Sequence, residues 1–315
     1  MQISVLVLDG VFDTGLAAIC DTLQVANALA SGGRNPFAVS RVGVRKRLTT
    51  GQGLNVPVDA PARRKPDLVL VPALAAKTPA VLDEALARSD VGRALDVLND
   101  WHGRGVTVGA ACTATFVLGA ARLLDSQPAT TTWWLAPTFR ERFPLVRLDE
   151  SRILIEAGPV VTAGAAVAHL DLALWVVRRV SPTLARETAR YLAFDKREAQ
   201  TSYAIFQRAT YRDALVERFE AWARANLARF STKRAARAIG TSQRTLERRL
   251  QQVLQKSPLR FVQDLRVADA VHRLETSDAS LDEIAALVGY ESGISLGNLL
   301  RKRTGLGVRA LRARQ

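Results

Sequence analysis

The first 180 residues alternate short apolar runs with longer stretches in which apolar positions recur at helical spacing. Continuous apolar runs are typical of buried strands, and the amphipathic stretches between them, such as residues 16–29, are typical of crossover helices. This order predicts a parallel sheet that is covered by helices on both faces. The predicted strands are ISVLVL (3–8), FAVSRVGV (37–44), DLVLVP (67–72) and VTVGAA (106–111).

A hairpin and a long helix follow this alternating region. Residues 152–158 and 160–164 predict two paired strands around Gly158 and Pro159. The apolar pattern then predicts a helix from about residue 165 to residue 180.

The pattern changes near residue 194. The stretch 194–213 is polar and has no clear period, and beyond it strand signals vanish while helix signals follow one another, each beginning at Ser or Thr. We therefore predict an α/β domain over residues 1–194, a linker over 195–213 and an all-α domain over 214–315.

Within the predicted all-α domain the order helix, short turn, helix occurs twice, at 232–254 and 281–303. In the first copy Gly240 suits a left-handed turn, and Ser242 begins a helix with one apolar side. This arrangement is typical of a helix-turn-helix, whose second helix enters the major groove of DNA. An ordinary helical hairpin with a solvated charged face is the alternative. The expected contacts are to bases for Gln243 and Arg244 and to phosphates for Arg248 and Arg249.

The second copy has a turn at Gly289, a cap at Ser292 and a strongly basic helix end at 301–303. Its outward positions are mostly small, so we expect it to contribute more to positioning on DNA than to sequence choice. The outward set is Gly293, Ser295, Gly297 and Asn298, and the residues expected to contact DNA are Ser292, Ser295, Asn298 and Arg301.

The charge distribution supports a polyanionic partner. The chain has a net charge of +14, and residues 215–315 hold 19 Lys and Arg against 10 Asp and Glu. Neutralisation of phosphates by Lys and Arg is the main sequence-independent source of affinity for nucleic acid. The basic third of the chain therefore favours double-stranded DNA as a partner, with a solvated basic surface as the alternative.

Other features exclude several classes of protein. The apolar runs are far shorter than the ~20 residues that span a bilayer, and the amino-terminal residues lack the pattern of a signal peptide. Two cysteines and three well-separated histidines give no metal-ligand spacing. We expect a cytoplasmic protein that uses no metal, no cofactor and no membrane partner.

Cys112 lies where the strand at 106–111 passes into a helix, a corner that holds the nucleophile in many enzymes and lowers the pKa of a thiol. Nucleophilic catalysis also needs a base, and only His102 and His169 are candidates because His272 falls among the carboxy-terminal helices. Three roles for Cys112 stay open: a small buried residue, a ligand contact or redox sensor, and a catalytic nucleophile.

Three motifs in residues 214–312 carry a resemblance to a known family. They are STKRAARAIGTSQRTLERRLQQ, SPLRFVQDLRVADAVHRLE, and IAALVGYES followed by RKRTGL. They resemble the DNA-binding region of the AraC/XylS family of transcription regulators, in which a long helix joins two helix-turn-helix units. The resemblance implies that the helix near 258–276 sets the recognition helices about 34 Å apart, roughly one turn of DNA. The chain departs from the family pattern at Leu296, Asn298, Leu300, Val308 and Leu311.

Four segments carry a second resemblance: FDTGLAAICDTLQVAN (12–27), ACTATFVLGAARLLDSQPATTTWW (111–134), RFPLVRLDESRILIEAGPVVTAG (142–164) and LDLALWVV (170–177). They resemble the class I glutamine amidotransferase-like fold of the PfpI type, and in particular the GlxA-type regulators, which fuse this fold to an AraC-type tail. The resemblance implies a flavodoxin-like parallel sheet with Cys112 in a nucleophile-elbow-type turn.

Two departures from this second pattern bear on chemistry. Active enzymes of the superfamily often have His directly after the elbow Cys, where this chain has Thr113, and the regulators commonly have His-Trp where it has Thr132 and Trp133. The resemblance therefore implies a ligand pocket rather than a hydrolytic site. Backbone amides of Cys112 and Thr113 would favour an anionic or carbonyl group on the ligand. The expected lining is Asp13, Cys112, Thr113, Thr132, Trp133 and His169.

The leading hypothesis is a transcription regulator without enzymatic activity. Its amino-terminal domain would bind a small-molecule effector and form a homodimer, and its tail would bind DNA. One alternative is a cysteine-dependent amidase or protease-like enzyme with a DNA-binding tail, which thiol reactivity distinguishes. The other is a thiol redox sensor, which predicts peroxide-dependent DNA binding.

Overall fold

The computed structural model describes residues 1–30, 35–61, 64–194, 213–254, 256–304 and 307–312. The chain divides into two compact units, residues 1–200 and 201–315. Most of the predicted linker, residues 195–212, lies outside the described residues. No helix in these described ranges is long and apolar enough to cross a membrane.

The first unit is built on a six-stranded sheet. Its strand order is β2-β1-β5-β6-β10-β9, and every neighbouring pair is parallel except β10 with β9. Without the short strands and the antiparallel edge strand, this is the order 2-1-3-4-5 of flavodoxin-like folds. The predicted strands and the predicted parallel sheet are therefore confirmed. The strands are β1 (Gln2–Leu6), β2 (Ala38–Val42), β3 (Leu48–Thr49), β4 (Asn55–Val56), β5 (Leu68–Val71), β6 (Thr107–Ala111), β7 (Pro128–Ala129), β8 (Arg147–Leu148), β9 (Leu154–Ala157) and β10 (Val160–Ala163).

Helices cover both faces of this sheet because its strands carry apolar side chains on both sides. On β1, Ile3 and Val5 join the buried cluster that α1, α6 and α7 cover, whereas Leu6 joins the cluster under α2 to α5. In this arrangement the carboxyl ends of the parallel strands and the starts of the helices that follow them lie at the same edge of the sheet. The helices are α1 (Asp13–Leu29), α2 (Pro79–Leu86), α3 (Ser89–Gly103), α4 (Ala114–Ala120), α5 (Ala136–Arg142), α6 (Ala168–Val180) and α7 (Pro182–Tyr191).

The second unit is helical throughout its described residues and contains the two predicted helix-turn-helix units, α9–α10 and α12–α13. Their turn glycines, Gly240 and Gly289, have φ of +73° and +84°. Each unit closes its own buried cluster, one around Phe219 and the other around Val271. The helices are α8 (Ala214–Ala225), α9 (Thr232–Ala238), α10 (Gln243–Leu254), α11 (Pro258–Thr276), α12 (Leu281–Val288), α13 (Gly293–Thr304) and α14 (Val308–Arg312).

Serine side chains begin the helices where the sequence predicts them. Ser231 and Ser257 each accept a backbone N–H bond at 3.2 Å, from Arg234 and Arg260. Ser280 and Glu283 form a complete capping box, in which each side chain accepts the other residue's backbone N–H. The predicted boundaries of both helix-turn-helix units are therefore confirmed.

Arg266, near the middle of α11, connects the two helix-turn-helix units. Its Nε and Nη2 donate to the carbonyl of Leu227, which precedes the first unit, at 3.1 and 2.7 Å. The same guanidinium lies 5.4 Å from the ring of Tyr290, in the turn of the second unit. A half-buried guanidinium with two such partners fixes the position of each unit relative to α11.

Candidate effector site and DNA-binding surface

Cys112 occupies the turn between β6 and α4, and its φ of 57° lies in the left-handed region that non-glycine residues rarely adopt. Hydrogen bonds hold this conformation. The Cys112 N–H donates to the carbonyl of Ala163 at 2.9 Å, while the Cys112 carbonyl accepts the hydroxyls of Thr115 at 2.7 Å and Thr131 at 3.3 Å. Hydrogen bonds to Ala163, Thr115 and Thr131 therefore hold the turn in place.

The environment of the Cys112 thiol makes it a weak nucleophile. The residue is only 4% exposed. Burial raises the pKa of the thiol to about 11, and this outweighs the opposing effect of the Thr113 backbone N–H and of the neighbouring Thr132 and Thr113 hydroxyls. At neutral pH the thiol is therefore protonated, whereas thiol chemistry requires the thiolate.

This environment predicts slow alkylation of Cys112. In a Cys20→Ser background, where Cys112 is the remaining thiol, we expect iodoacetamide at pH 7.5 to modify the native protein at least tenfold more slowly than the same protein in denaturing urea. Intact-mass spectrometry measures both rates. Equal rates, or faster reaction in the native protein, would reinstate the catalytic and redox hypotheses.

Phe12, which directly precedes Asp13, and Thr113 both bind to the loop that follows β5. The Thr113 hydroxyl donates to the carbonyl of Leu74 at 2.7 Å. One residue earlier, the carbonyl of Ala73 accepts the N–H of Phe12, directly before Asp13, at 2.7 Å. The structure therefore places the start of α1 and the Cys112 turn against one loop, as the carboxyl ends of neighbouring parallel strands require.

Two buried oxygens in this region form no hydrogen bond within the described part of the chain. They are Oδ1 of Asp13 and Oγ1 of Thr132. Thr132 is fully buried, and its hydroxyl lies beside the Cys112 thiol without the geometry of a regular hydrogen bond. Buried polar atoms in native proteins nearly always have partners, so each of these two oxygens calls for an explanation.

His169 does not fit the role expected from the sequence. Its Nε2 accepts the N–H of Ala73 at 3.0 Å, and its Nδ1 bonds to the carbonyl of Ala166. Burial lowers the pKa of this fully buried ring to about 4. Both nitrogens are engaged by backbone, so His169 acts as a neutral support for the loop rather than as a pocket group.

Two further expectations need correction or stay open. The backbone amides of Cys112 and Thr113 are expected from the sequence to bind a ligand. The Cys112 N–H donates instead to the carbonyl of Ala163, so it is not available to a ligand. Trp133 is half-buried and packs edge-on against Trp134 with ring centroids 5.3 Å apart. Its contact with a ligand stays a prediction. No group of three metal-binding side chains occurs in the described ranges.

Sequence reasoning missed the two threonines that hold the Cys112 turn. Thr115 and Thr131 also share a hydrogen bond of 2.5 Å between their hydroxyls. Thr115 belongs to α4 and Thr131 follows β7, so the pair forms only when these elements pack. The buried run of threonines at 130–132, within an otherwise apolar region, is the one sequence signal for it.

The first recognition helix, α10, presents its polar face to solvent as predicted. Gln243, Arg244 and Arg248 are exposed, while Leu246 and Leu250 are fully buried on the opposite side. Gln243 Nε2 donates to Glu247 Oε1 at 2.8 Å, a pair that DNA binding would have to open for a bidentate contact with adenine.

Arg249 has an intramolecular partner that the sequence did not reveal. Its guanidinium forms an ion pair with the carboxylate of Asp213. The other Asp213 oxygen accepts the N–H groups of Leu215 and Val216 at the start of α8. Arg249 therefore ties α10 to α8, and the expected phosphate contact would compete with this ion pair.

In the second recognition helix, α13, the cap is as predicted but one outward position is wrong. Ser292 Oγ accepts the N–H of Ser295 at 3.3 Å. Gly293 is buried against α12, and its N–H donates to Asp282 Oδ1 at 2.6 Å. The outward position belongs instead to Ile294, beside the exposed Asn298. The exposed side chains on the amino-terminal half of α13 are therefore larger than the sequence indicated. Arg301, farther along the helix, is also exposed.

Comparison with known proteins shows what this chain is similar to. Residues 235–314 match the family described as helix-turn-helix domain. The chain is 26% identical over 296 residues to the HTH-type transcriptional regulator CdhR of Pseudomonas aeruginosa, covering 91% of this chain and 84% of CdhR. It is 27% identical over 203 residues to the HTH-type transcriptional regulator GlxA of Rhizobium meliloti, covering 63% and 62%.

The fold of the first unit has a solved counterpart. A THiJ/PfpI family protein from Pseudomonas syringae superposes with a TM-score of 0.50 at 20% identity, covering 62% of this chain and 75% of that chain. This likeness supports the PfpI-type fold alone. An α/β domain of this type joined to two helix-turn-helix units defines a DNA-binding transcription regulator. The chain is a transcription regulator whose residues 235–314 match the helix-turn-helix family and whose amino-terminal unit has a PfpI-like fold, and it is similar to the regulators CdhR and GlxA.

Proposed function

We propose that the amino-terminal domain binds a small-molecule effector at Asp13, Cys112 and Thr132 and that this binding changes the affinity of the protein for DNA. The observation that carries the proposal is the pair of buried oxygens, Asp13 Oδ1 and Thr132 Oγ1, that form no hydrogen bond in the described structure. A ligand that donates to them would satisfy both. It acts on DNA binding only through a difference in its affinity for the two states of the protein.

The site binds without catalysing a reaction. Its thiol is protonated at neutral pH, Thr113 stands where active relatives have His, and both nitrogens of His169 are occupied by backbone. Without an activated nucleophile and a free base, covalent catalysis has neither of its two main components. The transcription regulators similar to this chain fit the same conclusion.

A panel of small metabolites tests effector binding by thermal shift of the full-length protein. We expect a compound that raises the melting temperature of the wild type to lose this effect with Asp13→Asn, since the amide replaces one acceptor by a donor. Asp21→Asn, an exposed change on the same helix, is the matched control. If the compound raises the melting temperature of Asp13→Asn as much as that of Asp21→Asn, the effector binds at a site that does not include Asp13.

The DNA contacts are proposed for both recognition helices. In α10, Gln243 and Arg244 contact bases, and Arg248 holds a phosphate together with Arg249 where its ion pair opens. In α13 the proposed contacts are Ser292, Ser295, Asn298 and Arg301. All of these side chains are exposed except Ser292, which is half-buried, and this accessibility supports the proposal because a groove-facing residue has to be accessible in the free protein.

Arg244→Ala tests base reading by the first unit. We expect it to cost about 1–3 kcal/mol of specific binding and to relax the choice of base at one position, because arginine gives guanine two hydrogen bonds. Arg248→Ala, which removes a phosphate contact on the same face, is expected to weaken all sequences alike. Fluorescence anisotropy on specific and random duplexes separates the two effects, and equal losses on both duplexes for Arg244→Ala would contradict its role.

The proposal also covers the oligomeric state, the cellular location and the domain bounds. The protein functions as a homodimer in the cytoplasm, and its domains extend over residues 1–194 and 214–315. The division of the chain into two compact units supports these bounds. Analytical ultracentrifugation with and without effector measures the oligomeric state.

A further inference from the structure

Ile294, at the amino-terminal end of α13, is the most exposed large apolar side chain in the described part of the chain, with 79% of its surface accessible. An exposed isoleucine forgoes the stabilisation that burial of its side chain would give. Its neighbours on the same outward face are polar or small, namely Ser295, Gly297 and Asn298. Ile294 is therefore a single apolar group on a polar surface.

The start of α13 is held so that Ile294 faces outward. The Gly293 N–H donates to Asp282 Oδ1 at 2.6 Å, and Ser292 caps the helix by accepting the Ser295 N–H. A Cβ at Gly293 would lie only 2.9 Å from Asp282 and 3.0 Å from Leu281, so this side of the helix is packed closely against α12. Because successive helix positions are rotated by about 100°, the next residue points away from that contact.

The position of this side chain restricts what it contacts on DNA. Residues at the amino end of a recognition helix touch base edges in the major groove. Among the four bases, only thymine presents an apolar group there, its C5 methyl, while the other edge groups are hydrogen-bond donors and acceptors. An isoleucine has no hydrogen bond to offer them.

We propose that Ile294 reads the C5 methyl group of a thymine in the half-site bound by the second helix-turn-helix unit. The proposal rests on the DNA-binding function of this unit and gives the unit a larger part in sequence choice than the sequence predicts. Ser295 and Asn298 supply hydrogen bonds on either side, and Ile294 supplies the apolar contact that selects thymine.

The test removes the methyl group from the DNA. A preferred duplex is selected from random sequences with the full-length protein, and each thymine is then replaced in turn by deoxyuridine, which differs only in lacking the methyl. For the wild-type protein we expect one replacement in the second half-site to weaken binding about threefold to tenfold. Ile294→Ala is expected to lose a similar factor on the thymine duplex and to show no further loss on the deoxyuridine duplex.

Two controls keep the result specific. Leu287→Ala removes another exposed apolar side chain, on α12 outside the recognition helix, and is expected to keep the full thymine preference. Ile294→Val, which shortens the side chain by one carbon, is expected to keep part of it. A measured hydrogen-exchange pattern like that of the wild type shows that Ile294→Ala folds normally.

Several outcomes would overturn the proposal. One is a deoxyuridine effect that persists in Ile294→Ala, and another is the absence of any sensitive thymine in the second half-site. A third is unchanged DNA affinity with lost transcriptional activity, which would assign Ile294 to a protein partner. If the wild-type protein selects no sequence at all, the failure concerns DNA recognition itself and overturns the proposal with it.

Discussion

Replacing Gly289 with alanine is expected to destabilise the second helix-turn-helix unit by about 3 kcal/mol, whereas the same change at Gly240 costs only about 1 kcal/mol. Both glycines have positive φ, so both variants carry the backbone penalty. They differ in packing. A Cβ at Gly289 would lie 2.7 Å from Arg266 Nη2 and 2.8 Å from the carbonyl of Ala228, while a Cβ at Gly240 meets nothing within 4 Å.

Hydrogen exchange of the full-length protein, read on peptides from α9–α10 and α12–α13, measures these two losses separately. We expect Gly289→Ala to lower protection of α12 and α13 and to weaken specific DNA binding, and Gly240→Ala to change protection of α9 and α10 only slightly. Similar losses in the two variants would mean that the positive φ alone sets the cost of both substitutions and that the contact with Arg266 adds nothing at Gly289.

His169→Ala is expected to destabilise the amino-terminal domain by about 3–5 kcal/mol. The change leaves a cavity in place of a fully buried ring and removes the partners of the Ala73 N–H and the Ala166 carbonyl. His102→Ala is the matched control in the same domain. We expect it to cost under about 1 kcal/mol because the ring is partly exposed and its Nδ1 has no hydrogen-bond partner among the described residues. Urea unfolding at pH 7.5 gives both values.

The same histidine gives the domain a defined pH dependence. Burial lowers the pKa of His169 from 6.5 to about 4, so the unfolded chain takes up its proton at a higher pH than the folded protein. Its contribution to stability is therefore complete above about pH 6.5 and is lost as the pH falls from 6.5 towards 4. The stability difference between wild type and His169→Ala should shrink over this interval. A constant difference would mean that the ring is not protonated on unfolding.

Much of the fold follows from local patterns in the sequence. The apolar runs of β1, β5 and β6 and the serine caps of the helices each depend on neighbouring residues, so they are visible without the structure. The turn glycines Gly240 and Gly289 are recognisable for the same reason, since a helix followed by glycine and a new cap predicts a left-handed turn.

The candidate site depends on contacts between residues that are distant in the chain. Nothing near His169 indicates that its ring accepts the N–H of Ala73, 96 residues away. The pairing of Thr115 with Thr131 likewise appears only after α4 and β7 have packed. The orientation of Gly293 and Ile294 depends on the hydrogen bond to Asp282, and a shift of one residue in the helix start exchanges the inward and outward positions.

The single guanidinium of Arg266, bonded before the first helix-turn-helix unit and stacked in the turn of the second, has a consequence for the operators that this protein can use. We expect the interval between the two half-sites to be set by α11 and this guanidinium, and not by the DNA. Bases within a half-site can drift in evolution at the cost of individual contacts. A base pair gained or lost between half-sites, however, has to be matched by a rebuilt α11.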